Sequence, residues 1–175
     1  MEQESLDNIR YEVIPYDPKW AELFKLEKEK IKSIFGNEAM AIEHIGSTAV
    51  SELAAKPVID IAVLVASHKS VDKYIKPLSE LGYKYDQPAS SSERHFLRKY
   101  ETVKYHLSIA YQNRGSFWRR QILFRNYLRE HEDARNEYQD LKLKLIKEDA
   151  TGRHSYIQGK NEFIQRILKL AEIEK

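Results

Sequence analysis

Residues 42–65 read IEHIGSTAVSELAAKPVIDIAVLV, and this stretch decides the fold. A short apolar run breaks at Gly46-Ser47-Thr48, and the chain returns through Lys56-Pro57 into VIDIAVLV, a β-branched run that fits a buried strand. Asp60 is the one charge in that strand. Desolvating a carboxylate near the start of a central strand is unfavourable by several kcal/mol, so Asp60 is expected to face a cation, a donor or water. The backbone N–H groups of Gly46-Ser47-Thr48, joined by two hydroxyls, suit the oxygens of a phosphate. The same tripeptide also serves as ordinary turn and N-cap chemistry.

Working outward, Tyr11–Ile14 alternates like a short edge strand, and Asp17-Pro18 opens a helix over 18–35 whose buried stripe is Trp20, Leu23, Phe24, Ile31, Ile34 and Phe35. Strands are expected over 40–45 and 57–65, a helix over 72–81, and a surface loop over 86–93. Two strands follow, over 94–100 and 103–111. In the second, His106 and Ser108 share one face while Tyr105, Leu107 and Ile109 share the other. Helical periodicity then predicts helices over 117–130, 133–147 and 155–173, with a break at Thr151-Gly152. This order gives an α/β (α+β) domain over 1–175: a mixed sheet in an α/β core over 1–115 with an N-terminal helix, and about three helices over 116–175.

Composition narrows the function. Lysine and arginine number 29 against 27 acidic residues, so no broad electrostatic footprint for nucleic acid is indicated. No cysteine is present, which excludes disulfides and thiolate metal ligands and suits a reducing cytosol. Residues 1–10 lack the apolar core of a signal peptide, and no apolar stretch approaches the roughly 20 residues that span a bilayer. A cytoplasmic protein without a membrane partner is the expectation.

Several ordered blocks carry a family resemblance. They are Tyr16-Asp17-Pro18-x-Trp20, then His44-Ile45-Gly46-Ser47-Thr48-Ala49-Val50, then Ala55-Lys56-Pro57-Val58-Ile59-Asp60-Ile61. Later come His106-Leu107, Trp118, Phe124-Arg125-Asn126-Tyr127-Leu128-Arg129, Tyr138, Leu141-Lys142 and Tyr156-x-x-x-Lys160. Together they resemble the GrpB family, small bacterial proteins of the nucleotidyltransferase superfamily, over nearly the whole chain. The resemblance implies a nucleotide or other phosphorylated small molecule as ligand. Gly46, Ser47 and Thr48 would hold phosphate, Asp60 would hold Mg2+, and His44, Lys56, His106, Arg125 and Lys160 would complete the wall. If the protein is an enzyme, Asp60 and His106 would be its catalytic residues, and the reaction would be nucleotidyl transfer to an acceptor hydroxyl.

Departures from the family pattern fall near that site. Active members of the superfamily carry two alternate carboxylates on the second strand, and here the second position is Ala62. The family's Pro-Gly is Ser51-Glu52, its His-x-His is His106 and Ser108, and its Phe-Arg-Asp-Tyr-Leu carries Asn126. A single carboxylate binds Mg2+ poorly unless Glu43, Glu52 or a phosphate completes the shell. Two further readings therefore stand beside the first. One is a catalytically inactive module that binds a nucleotide or a protein partner. The other is a metal-dependent, hydrolase-like centre of His44, His106 and Asp60.

Each side chain also has a plainer reading. The histidines would donate to backbone carbonyls, and Lys56 would pair with a surface carboxylate. Arg119, Arg120 and Lys142 read as solvated helix surface, whereas Arg125, flanked by Phe124 and Leu128, reads as partly buried and in need of a carboxylate or a phosphate. Tyr127, Tyr138 and Tyr156 occupy apolar helical stripes, where core packing suffices.

Overall fold

The computed structural model describes residues 12–148 and 153–175. Tyr11 and the Thr151-Gly152 break therefore lie outside the described residues. Helix α1 spans Lys19–Phe35, and Asp17 Oδ1 accepts the Lys19 N–H at 3.0 Å, so the Asp-Pro pair caps its first turn. The strands are β1 (Ala41–Ile45), β2 (Val58–Val65), β3 (Lys84–Tyr85), β4 (Arg94–Tyr100) and β5 (Lys104–Tyr111). Helix α2 (Asp72–Glu80) precedes β3, and α3 (Phe117–Glu130), α4 (Glu132–Glu148) and α5 (Arg153–Ile173) close the chain.

The strands form one mixed sheet in the order β1-β2-β5-β4-β3. Only β2 and β5 run parallel, and β2 lies between β1 and β5. One face of the sheet carries Ile59, Ile61, Val63, Leu107 and Ile109 against α1 and α2, forming the main core with Trp20, Ile31, Phe35, Tyr74 and Leu78. Ile45, Ala62 and Ala110 on the other face pack against Phe117, Trp118 and Ile122 of α3. A separate cluster, containing Leu53, Leu128, Tyr138, Phe163 and Ile167, joins α3, α4 and α5 to the segment after β1. No helix among the described residues is long and apolar enough to cross a membrane.

Two expectations need correction. The residues 12–14 do not build an edge strand: Ile14 makes a single antiparallel bridge with Ala55, and Pro15 offers no further donor to a ladder. The two-residue strand β3 was not expected, because Lys84 and Tyr85 are both exposed and leave no alternation to read.

Within the core lies one ionic group. Glu27 of α1 is 1% exposed, and its Oε1 accepts from Lys99 Nζ and from the Tyr83 hydroxyl, each at 3.0 Å. Next to Glu27 and Tyr105, the buried Tyr83 phenol is held well above its usual pKa by burial first and by the carboxylate second.

Glu52 has φ +65°, the left-handed geometry that glycine adopts without strain. Its side chain is 78% exposed and reaches Arg135 at 3.1 Å, an ion pair worth little in water. Glu52→Gly is therefore expected to stabilise the protein by about 1 kcal/mol, read as a higher urea midpoint. An unchanged or lower midpoint would show that the ion pair outweighs the strain.

Candidate functional site

Register places the acid. Ile45 of β1 pairs with Asp60 of β2, and Asp60 pairs with His106 of β5, so all three side chains share the α3 face of the sheet. Past Ile45 the chain turns at Gly46, with φ +73° and ψ −173°, a region that only glycine populates readily. A Cβ there would stand 2.6 Å from Asp60 Oδ2, so the bend crosses directly over the carboxylate. Ser47–Ala49 then forms one 3-10 turn.

Asp60 Oδ1 lies 3.2 Å from His106 Nδ1, and His106 Nε2 lies 2.7 Å from the Tyr100 hydroxyl. With the imidazole neutral, Nδ1–H donates to Asp60 and the phenol donates to Nε2. Arg94 reaches the same face from β4. Its Nη1 donates to Ser108 Oγ at 2.7 Å, and its guanidinium lies over the rings of Phe96 and Phe117. Beside Ser108 a neighbouring strand thus brings in a cation.

The C-terminal helices supply two ammonium groups. Lys142 of α4 is 1% exposed, and its Nζ donates to Ser47 Oγ at 3.1 Å and to the Ala54 carbonyl. Lys160 of α5 lies over the Tyr156 ring at 4.3 Å. At the preceding residue, Gly159, a Cβ would run into Leu145, so the missing side chain lets α5 approach α4 closely and brings the two lysines together. Burial, then the neighbouring Lys160, lowers the Lys142 pKa to about 7. Burial also lowers Lys160 to about 8, with Asp60 opposing and Lys56 adding to the effect.

These groups enclose a cavity of about 360 Å³. Among the described residues, Lys56, Arg94, Lys142 and Lys160 line it together with a single carboxylate, Asp60. Ser47, Thr48 and His106 line it too, and Gly46 borders it through Asp60. Its chemistry is that of an anion site: convergent basic side chains, a hydroxyl-bearing turn and, among the described residues, one carboxylate.

Two expected wall residues lie elsewhere. His44 pairs in register with Ile61, one residue away from Asp60, so it points to the opposite face of the sheet. There it stacks on Phe24, and its Nε2 lies 2.9 Å from Thr48 Oγ1, whose hydroxyl reaches the Val58 carbonyl. Arg125 is 7% exposed and spends its donors on Glu43 Oε2 at 2.6 Å, the His44 carbonyl at 2.9 Å and Asn126 Oδ1 at 3.0 Å. Its partner is thus an internal carboxylate, and Asn126 still serves as an acceptor. Arg129 similarly braces the turn from behind, with two donors on the Ala49 carbonyl. Lys142, read from sequence as solvated, is instead buried at the cavity because it falls one turn after Tyr138 on the packed side of α4. Arg94 was not singled out at all, although Arg94, Phe96, Arg98 and Tyr100 alternate onto one strand face.

Burial lowers the His44 pKa to about 4, so the folded state takes up its proton later than the unfolded chain does. Stability is then complete above pH about 6.5 and falls as the pH drops from there toward 4, by up to about 3 kcal/mol. Urea midpoints along that range should decline, and His44→Gln should flatten the decline; an equal slope in the variant would assign it to other groups.

The residues present do not fit a magnesium shell. Ala62 is fully buried in the α3-side cluster, Glu43 is held by Arg125, and Glu52 is held by Arg135. Among the described residues no three His, Asp or Glu side chains gather as a metal site, and the sheet separates His44 from His106.

Residues 10–170 match the sequence profile of the family described as GrpB protein. The chain belongs to the GrpB family. A crystal structure of the conserved protein GrpB from Enterococcus faecalis is similar, with a TM-score of 0.86 and 34% identity over 93% of this chain and 98% of that one. UPF0157 protein YqkA from Bacillus subtilis (strain 168) is 36% identical over 156 residues, which are 89% of this chain and 46% of YqkA. The chain thus spans about half the length of that GrpB relative. Cid1 poly(U) polymerase, solved with Mg 3'-dATP, matches with a TM-score of 0.53 and 15% identity over 84% of this chain and 49% of its own. The GrpB chain therefore has a nucleotidyltransferase-like fold.

Proposed function

We propose that the protein binds a nucleotide or related phosphorylated ligand in the cavity beside Asp60. The observation that carries this reading is the charge of the lining, four basic side chains against one carboxylate among the described residues, gathered at the Gly46-Ser47-Thr48 bend. Lys142 is buried and Lys160 half-buried, each at a cost to its own protonation that an anionic ligand would offset. The 3'-dATP bound in Cid1 suggests the ligand class to test first. Phosphate oxygens would rest on Ser47 and the lysines. Calorimetry with ATP, CTP, GTP and UTP tests the reading: binding to one of them is expected, and Lys160→Gln should weaken it by about tenfold or more. No heat with any nucleotide removes it.

A binding module without catalysis is the second reading, favoured by Ala62 packed in place of the second carboxylate. If transfer does occur, an acceptor hydroxyl would attack the α-phosphate with loss of pyrophosphate. Incubation with labelled nucleotide and mixed acceptors separates the two, because a transferred label excludes a purely binding role.

A further inference from the structure

We infer that this cavity takes the phosphate groups of its ligand without a divalent cation, their charge being met by the ammonium groups of Lys142 and Lys160 and the guanidinium of Arg94. This rests on the phosphorylated-ligand reading above and goes beyond it.

The place a bridging ion would occupy is built wrongly for one. At phosphate sites magnesium is held by one or two carboxylates together with the phosphates and gives up its water reluctantly, so its hold weakens as carboxylates are lost or already engaged. Among the described residues Asp60 is the only carboxylate lining the cavity, and one of its oxygens is engaged by His106. The neighbouring position on the same face of β2 is Ala62, sealed by Ile45, Ala110 and Phe117. Glu43 shares that face but is taken by Arg125.

The cations are placed where such an ion would act. Lys142 Nζ touches the hydroxyl of Ser47 in the turn, so a phosphate received by the turn meets the ammonium group directly. Lys160 adds a second positive charge beside Lys142 and Asp60. Arg94 is held by aromatic rings on two sides and by Ser108, which aims a planar donor array from β4 at the same face as Asp60. Their depressed pKa values, where burial leaves the charge poorly solvated, fit cations awaiting an anion. A further dication would add to the repulsion among them.

Calorimetry of the whole protein with inorganic triphosphate and with ATP, each in EDTA and in excess magnesium, tests the inference. Binding in EDTA is expected to be no weaker than in magnesium, and up to about tenfold tighter because the bare anion carries more charge. Lys160→Gln should lose about tenfold in EDTA, with Lys160→Arg retaining most of the affinity. Binding that requires magnesium would overturn the inference and leave the phosphorylated-ligand reading standing. Absence of binding in both buffers would overturn both. The wild-type comparison decides the matter even if the Lys160→Gln protein does not fold.

Discussion

Gly46→Ala is expected to destabilise the protein by about 2–5 kcal/mol, the sum of a glycine-only backbone geometry and an overpacked contact, and to abolish ligand binding at the cavity. The added methyl would meet Asp60 Oδ2 at 2.6 Å and its Cβ at 3.2 Å, so either the bend or the carboxylate must move. Each movement breaks the juxtaposition that makes the site. Urea denaturation reads the stability, and calorimetry with triphosphate reads the binding. Combining the change with Asp60→Ala should recover only part of the loss, because the oxygen contact is relieved while the backbone strain stays. Wild-type stability and affinity in Gly46→Ala would mean that the bend does not depend on glycine.

Glu27→Ala should cost about 3–5 kcal/mol, since it leaves a buried ammonium group without its counter-charge. Lys99 is 5% exposed and lies over the rings of Tyr83 and Tyr105. The Tyr83 hydroxyl loses its acceptor in the same step. By contrast, the combined change Glu27→Leu, Lys99→Leu and Tyr83→Phe should come close to wild-type stability, because apolar groups of similar size remove both charges and the Tyr83 hydroxyl that would otherwise lose its acceptor. Thermal unfolding of the two variants beside wild type checks this. A mild effect of Glu27→Ala alone would contradict a buried ion pair.

Much of this fold is written locally. The alternation in VIDIAVLV and VKYHLSIAY assigns each side chain to a face, and the structure places Tyr105, Leu107 and Ile109 in the core with His106 and Ser108 opposite. Glu27 was equally legible: it lies seven residues after Trp20 and four before Ile31, inside the apolar stripe of α1, which marks it as buried and in need of a partner. Lys142 carried the same signal, four residues after Tyr138. What local pattern does not carry is register between strands. A shift of one residue between β1 and β2 exchanges His44 and Ile45 at the cavity, and nothing in either strand alone selects between them. The pairing of Arg125 with Glu43 is likewise a product of tertiary packing, joining α3 to β1 across more than half of the described chain. The cation expected to meet a ligand was committed to holding the strand that presents the turn.

The one parallel ladder, between β2 and β5, also bears on how the protein comes to its native state. Residues 66–103 intervene, so Asp60 meets His106 only after α2, β3 and β4 have been threaded into place, a closure of high sequence separation that tends to come late and slowly. Molecules caught before that step would have the bend but not the opposite wall. A ligand of the finished pocket should therefore retard unfolding while leaving the refolding rate nearly unchanged, a distinction that stopped-flow traces with and without triphosphate would reveal.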